Sequence, residues 1–559
     1  MDGEISNSKN VGEYLIERLV DNGINHIFGV PGDFVLGFYN QLSNSKVKVI
    51  NMSDEQGAGF AADAYSRIKG LGAVCVTYCV GGFKVVNTTA EAFAERSPLV
   101  VISGSPGIKE RIKDPMLHHR VKDFDTQLKV FQQITIASVV LDDPVSATQK
   151  IDDTIGSALY YKGPVYIEIP RDIVSRHIIL HNTTTNRNTP DLEKNRKNLN
   201  ELDTAIVEII QMINSSNKPV ILAGIEVHRY GLQNELLSFV EKSNIPVAST
   251  ILGKSIVSEL HPLYIGIYEG SMGDNSVRNY VESSDCLILL GAFMTDLNLG
   301  GFTSQIDKEK SINISSHETI TKNNNYKNVT LSNILKRLAS TESIKRHDGV
   351  VEVVRHHYAN PTQFSPLKGK KISIKRLFEC INSFLSDNTI VVADIGEALF
   401  GSTDLVLHRR TSFLSPAYYA SMGFAVPASI GAQLAKPNCR PIVIVGDGAF
   451  QMTGIELSTA LRFNLNPIVI VLNNHGYGTE RSILDGPFND IQNWRYDMIP
   501  QLVGGGKGFT IDTEEHLHDA LHYSIVNTSS FCILDVHLDP YDKSPALKRL
   551  TEVLSKKAV

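Results

Sequence analysis

Short, continuous runs of Val, Ile and Leu recur along the whole chain, and they constrain its fold more than any other feature. AVCVTY, LVVISGS, PVYIEIP, KPVILAG, CLILLGAF, TIVVADI, PIVIVGDG and NPIVIVLNN are apolar at successive rather than alternate positions, with helix-length amphipathic segments between them. Strands buried on both faces have this signature, as in parallel sheets covered by helices. The class is α/β. At roughly 150 residues per domain, 559 residues require several cores. Two polar stretches interrupt the rhythm: HNTTTNRNTPDLEKNRKNLN at 181–200, and one from about 341 to 370 containing RHDG, RHHYANPTQ and PLKGKK. Read as linkers at 181–199 and 341–370, they leave three domains, 1–180, 200–340 and 371–559, each expected to hold a mostly parallel sheet flanked by helices. The sequence shows no short-period repeat and no low-complexity tract.

Charge excludes one class of partner. Lys and Arg number 54 against 60 Asp and Glu, a formal charge of −6 that does not suit a nucleic-acid binder working through a basic surface, and no charge block suggests a polyanion partner. Six cysteines without a C-x-x-C spacing point to reduced thiols. MDGEISNSKN lacks the basic and apolar regions of a signal peptide, and the longest apolar runs fall far short of the ~20 residues of a membrane span. The expectation is a cytoplasmic protein with no membrane and no nucleic-acid partner.

The chemistry concentrates in PIVIVGDGAFQMTGIELSTALRFNLNPIVIVLNNHGYGTE. A buried strand ends at Gly446-Asp447-Gly448, a helical segment follows, and a second strand ends at Asn473-Asn474, with residues 449–472 between. This is one βαβ unit, whose right-handed crossover brings both strand tips to one sheet edge, where ligands of open α/β sheets bind. Asp447 offers a carboxylate and Asn474 an amide oxygen, and Gly446 and Gly448 leave room for a ligand to approach the backbone. Hard oxygen donors of this kind suit Mg²⁺, which completes its shell with phosphate oxygens and water. Either fragment alone also reads as a turn or a helix cap; together at this spacing they point to a metal-anchored diphosphate.

At these residues the chain resembles the thiamine-diphosphate enzymes, whose diphosphate motif is G-D-G, about two dozen residues, then N-N. The resemblance extends over essentially the whole chain and implies an N-terminal pyrimidine-binding domain, a non-catalytic middle domain and a C-terminal diphosphate-binding domain. It implies that Asp447 and Asn474 ligate Mg²⁺ by side chain and Gly476 by its carbonyl. Glu55, in SDEQGAGFAADAYSRIKG, matches the glutamate that hydrogen-bonds N1′ of the aminopyrimidine and so promotes loss of the thiazolium C2 proton. In SPAYYASMGF, Met422 matches the apolar residue beneath the cofactor, and Ala420 matches the residue whose carbonyl meets the 4′-amino group. Because the glutamate and the metal site come from different subunits in that family, a homodimer or homotetramer is implied.

Within the family, the proton-handling positions resemble those of 2-keto acid decarboxylases such as pyruvate and indolepyruvate decarboxylase. Asp33 in HIFGVPGDF, His118 and His119 in PMLHHRVKDFDT, and Glu480 six residues beyond Asn474 all match. Taken singly, each also reads as a surface residue; histidines and carboxylates are apt because a cleft can tune them to exchange protons near neutral pH. The implied reaction is non-oxidative decarboxylation of a small-molecule 2-keto acid to an aldehyde and CO₂. Glu480 assists carboxylate loss and proton delivery, Asp33 and His119 serve protonation and aldehyde release, and His118 orients its neighbours. FNDIQNWRYDMIPQLVGG and PAYYASMGF resemble the aryl- and indolepyruvate enzymes, which favours a bulky or aromatic substrate, with pyruvate as the alternative. An acetolactate-synthase-like carboligase and a catalytically silent thiamine-diphosphate-binding assembly protein are the rival readings.

Some positions depart from the family pattern. Lys84 stands where a small hydroxyl residue is common, Glu397 is an extra carboxylate, Thr479 replaces a larger aliphatic residue, and His475 replaces an acidic one. GGGKG at 504–508 lacks P-loop spacing and reads as a glycine-rich turn. His356-His357 carry no assigned chemistry.

Overall fold

The structure, a computed structural model, describes residues 9–178, 192–348, 364–410 and 412–558. Three sheets follow one another along the chain. The first consists of β1 (His26–Gly29), β2 (Lys48–Asn51), β3 (Gly72–Val76), β4 (Leu99–Ser105), β5 (Ala137–Val140) and β6 (Val165–Pro170), in the order β2-β1-β3-β4-β6-β5 and parallel throughout. The second holds β7 (Pro219–Ala223), β8 (Val247–Ser249), β9 (Tyr264–Ile267), β10 (Cys286–Leu290) and β11 (Ser311–Ile314), all parallel, and closes on β12 (Thr319–Ile320) and β13 (Asn325–Tyr326), which are antiparallel. The third comprises β14 (Thr389–Ala393), β15 (Phe413–Leu414), β16 (Arg440–Gly446), β17 (Ile468–Asn473), β18 (Lys507–Ile511) and β19 (Cys532–His537). Its order, β15-β14-β16-β17-β19-β18, repeats that of the first sheet when 13 is taken from each label, and it too is wholly parallel.

Each of the eight apolar runs contains a strand, and β3, β4, β6, β7, β10, β14 and β17 are buried at every residue. Helices cover both faces, as continuous rather than alternating apolarity requires.

The first and third sheets share a core. Helix Glu55–Lys69 follows β2 and helix Ala425–Ala435 follows β15, and the two pack together. A Cβ at Gly431 would lie 1.9 Å from the Ala61 carbonyl oxygen, so the backbones approach to a distance only glycine permits. Phe60 and Phe424 meet edge to face at 5.7 Å. Arg67, buried beside them, is held by Asp63 at 2.6 Å, Glu95 at 2.7 Å, Glu91 at 3.2 Å and the Ser415 carbonyl at 3.0 Å. A fully desolvated guanidinium needs such compensation, and its partners tie the two domains in register.

Much of each polar stretch lies outside the described residues, including 179–191, and 349–363 with His356-His357. The stretch read as a linker to 199 differs in the structure, because helix Leu192–Ser215 opens within it. The helix is driven by an apolar face farther along, where Ala205, Ile206, Ile209 and Ile213 enter the middle core. Toward the second stretch, Ile344 and His347 are buried, with His347 N bonded to Ser243 O at 2.8 Å. All six cysteines are free and buried. Among the described residues no helix is long and apolar enough to cross a membrane.

Candidate active site

Parallel pairing of Gly446 with Leu472 brings the ends of β16 and β17 out on one edge of the third sheet. Asp447, 1% exposed, opens the helix Asp447–Thr453; its Oδ1 accepts from Gly448 N at 2.8 Å and its Oδ2 from Gly476 N at 3.0 Å. Among the described residues the ion pairs include none from Asp447, and burial pushes its carboxyl up to about 6. Asn474 is buried beside it. The loop between them is shaped by glycines: Gly476 has φ +146°, and a Cβ there would sit 2.1 Å from Asn489 O, while a Cβ at Gly478 would strike Asn474 Nδ2 at 2.4 Å. At Gly446 a Cβ would meet nothing within 4 Å, because that position opens on a cavity.

This cavity, of about 120 Å³, is lined by Gly446, Asp447, Gly448, Asn474 and Gly476 together with Gly396, Glu397, Met422, Thr479 and Glu480. Met422 is held there by Asp394, whose Oδ1 accepts from Gly423 N at 3.1 Å and whose Oδ2 accepts from Ala425 N at 2.9 Å. Ala420, exposed, takes the left-handed conformation at φ +63°, fixed by a bond from its N to Pro416 O at 2.8 Å. Glu480 is exposed in the first turn of helix Gly478–Ile483.

A buried carboxylate with no cation, an amide side chain and a glycine carbonyl are hard oxygen donors suited to Mg²⁺. A divalent ion would reverse the burial penalty on Asp447. The residues present therefore fit a Mg²⁺-bound diphosphate.

A second cluster stands at the edge of the first sheet. Asp33 follows β1 and its tight turn; its Oδ2 lies 2.7 Å from His118 Nε2 and 3.9 Å from Arg171 Nη1. His118 stacks on Phe34 at 4.8 Å, and His119, at φ +65°, meets His118 edge to face at 4.8 Å. His119 Nδ1 is buried without a partner among the described residues. Glu55 opens its helix and is 9% exposed. Lys84, on the short turn Gly82–Val85, pairs with Glu55 Oε2 at 2.9 Å and with Asp54, so the unusual lysine sits directly on the glutamate. Those hydrogen bonds to Asp54 and Glu55 hold the Lys84 ammonium up at about 12.

The chain thus gathers its sequence-predicted residues into two groups. Asp447, Asn474, Gly476, Met422 and Glu480 share the cavity, whereas Glu55, Asp33, His118 and His119 line no part of it. Three residues escaped the sequence reading. Glu456, 1% exposed, accepts from Ser53 N and Asp54 N at 3.1 Å and so fixes the entry to the Glu55 helix from the third domain. Asp394 and Arg171 were also missed. The only signal for Asp394 is its place at a buried strand's end; Glu456 and Arg171 meet partners hundreds or scores of residues away and leave no local pattern.

Comparison with known proteins covers the same ground. Residues 9–129 match the thiamine pyrophosphate enzyme N-terminal TPP binding domain, 206–340 the central domain and 394–536 the C-terminal TPP binding domain. The chain is 33% identical over 549 residues to indole-3-pyruvate decarboxylase of Azospirillum brasilense, covering 97% of this chain and 98% of that one. It is 32% identical over 550 residues to pyruvate decarboxylase 1 of Pisum sativum, at 96% and 92% coverage, and 30% identical over 547 residues to a probable pyruvate decarboxylase of Schizosaccharomyces pombe, at 96% and 94%.

Proposed function

The chain belongs to the thiamine-diphosphate-dependent 2-keto acid decarboxylases, and on that premise we propose that it splits a bulky or aromatic 2-keto acid, such as phenylpyruvate or indolepyruvate, into an aldehyde and CO₂. The observation that carries the substrate reading is that Thr479 lines the cavity next to Glu480 in sequence, among lining residues that range from Gly396 and Ala398 to Phe400, Leu472 and Tyr477. A larger aliphatic residue at 479 would fill that space, and filling or emptying it by one methylene alters selectivity by about 1–3 kcal/mol. The relatives' names divide between indolepyruvate and pyruvate at nearly equal identity, so the substrate reading rests on Thr479.

Bound thiamine diphosphate supplies the electron sink that decarboxylation needs and that no side chain provides. The protein's own residues do the rest. Asp447, Asn474 and the Gly476 carbonyl would hold Mg²⁺, and through it the diphosphate. Met422, on the cavity wall, would support the cofactor, and the Ala420 carbonyl would accept from its amino group. Glu55 would hold a proton at the pyrimidine nitrogen. Glu480 assists loss of the substrate carboxylate and delivers the proton that replaces it. Asp33 and His119 handle the proton at product release, and His118, fixed between Asp33 and the Phe34 ring, orients them.

The division of the site between two places in one chain supports a homodimer, alone or paired into a homotetramer, in which Glu55 and the Asp33 cluster of one copy complete the cavity of another. Tyr418 and Tyr419, 42% and 39% exposed beside the exposed Ala420, fit a face that a second copy covers.

A turnover panel tests the substrate reading. With thiamine diphosphate and Mg²⁺ present, kcat/KM for phenylpyruvate or indolepyruvate should exceed that for pyruvate and for branched-chain keto acids. Pyruvate as the best substrate would overturn it.

A further inference from the structure

The cluster at the edge of the first sheet has a second chemical capacity. Among the described residues it is the one place where three metal-ligating side chains converge: a carboxylate oxygen of Asp33 and one ring nitrogen each of His118 and His119 lie within 4.8 Å of one another. Tetrahedral Zn²⁺ holds such ligands at about 2.0–2.2 Å, which sets them about 3.3 Å apart, so the widest separation must close by at most about 1.5 Å. The pair Asp33 Oδ2 and His118 Nε2, at 2.7 Å, must open slightly. Both histidines lie in an irregular segment between the turn Ile108–Arg111 and the helix Thr126–Phe131, so shifts of that size distort no helix or strand.

Two features favour a cation here. His119 Nδ1 is buried without a partner among the described residues, and a buried polar atom left so costs about 1–3 kcal/mol, which an ion bound to it would relieve. The charge balance is also acidic, because Asp33 and Glu110 face a single guanidinium. Arg171 Nη1 stands 3.9 Å from Asp33 Oδ2, but the same side chain is held by both oxygens of Glu110 and lies over the Phe34 ring at 4.9 Å. Arg111 and Arg120, on the same segment, are engaged by Glu168 and Asp114, each at 2.8 Å.

The donor set chooses the ion. Mg²⁺ asks for oxygen ligands in an octahedron, as Asp447 and Asn474 offer, whereas two imidazoles with one carboxylate suit Zn²⁺ and its neighbours in the first transition row. All six cysteines are buried, so no accessible thiolate competes for such an ion. Three protein ligands leave the fourth position to water.

We propose that Asp33, His118 and His119 form a second metal site, which takes one borderline transition ion such as Zn²⁺ through two imidazole nitrogens and a carboxylate oxygen, and that its occupation reversibly stops turnover. The site rests on this geometry alone. The arrest rests on the reading of these groups as proton handlers, because a nitrogen bonded to a metal has no lone pair left for a proton.

The experiment titrates Co²⁺, a spectroscopic stand-in for Zn²⁺, into the full-length holoenzyme in non-chelating buffer with thiamine diphosphate and excess Mg²⁺. One equivalent per chain should raise a visible ligand-field band that Zn²⁺ abolishes, and turnover should fall in step with Zn²⁺ occupancy and return when Zn²⁺ is chelated and Mg²⁺ replenished. Asp33→Ala, His118→Gln and His119→Gln should each weaken Zn²⁺ binding by at least the roughly 10–100-fold that even outer partners of metal ligands are worth. Asp447→Ala, which acts on the other site, should keep the band. Should a histidine variant fail to fold, carbethoxylation of His118 and His119 in the wild type, mapped by mass spectrometry, should be slowed by Zn²⁺ and not by Mg²⁺. No band, affinity unchanged in all three variants, unslowed carbethoxylation, or a band lost in folded Asp447→Ala would overturn the site. A filled site with undiminished turnover would overturn the arrest and the proton-handling role beneath it, and leave the metal site standing.

Discussion

The first and third sheets have one strand order but place opposite environments at matching tips. After the leading strand of each comes a carboxylate: Asp33 after β1 is half-exposed and paired with His118, whereas Glu397 after β14 is buried with an unpaired oxygen. The Glu55 helix follows β2, and the Met422 turn and its helix follow β15. The acids of the first sheet's edge are met by His118, Lys84 and Arg171. Those of the third, Asp394, Asp447 and Glu397, are met mainly by backbone N–H groups, and burial raises them to about 6, 6 and 7. One topology thus yields a solvent-facing set suited to moving protons and an enclosed set suited to holding a cation and its anion.

Substitutions that act on one half should separate binding from proton chemistry. The largest effect is expected at Glu55: Glu55→Gln should slow exchange of the cofactor's C2 proton by about 10²–10⁴ while cofactor affinity changes only a few-fold. Wild-type exchange, followed by NMR in deuterated buffer, would break the assignment. Glu480→Gln should lower the rate of aldehyde formation by roughly 10², again without a matching loss of affinity; unaltered turnover would remove Glu480 from the proton-handling set. A smaller effect is expected at Lys84, which pairs with Glu55 and, on the proposed role of Glu55, would have to release it to the cofactor. A half-exposed ion pair is worth about 0–1 kcal/mol, so Lys84→Met should tighten cofactor binding by at most about fivefold, and weaker binding would instead place the lysine on the ligand.

The sequence made the α/β class legible because strands buried on both faces need uninterrupted apolar runs, and it exposed Asp447 and Asn474 because a βαβ crossover fixes where their strand tips emerge. The matching strand orders were hidden, since topology can be kept by apolar patterning without repeated residues. Glu397 was visible as an extra acid near the cofactor segment, but its burial depends on Ser544, 147 residues away. The Lys84–Glu55 pair and the grip of Glu456 on Ser53 and Asp54 were invisible for the same reason, since each joins segments that local spacing does not relate. The helix inside the first polar stretch was missed because the residues that anchor it lie beyond that stretch.

The central claim is that the buried Asp447 carboxylate and Asn474 hold the divalent ion that anchors the cofactor. Calorimetric titration of thiamine diphosphate into metal-stripped protein, with and without Mg²⁺, tests it most directly, with Asp447→Ala as the control. Saturable binding should appear only with Mg²⁺ and only in the wild type. Equal binding in a chelator, undiminished retention by Asp447→Ala, or no uptake by folded, metal-replete wild type would contradict it.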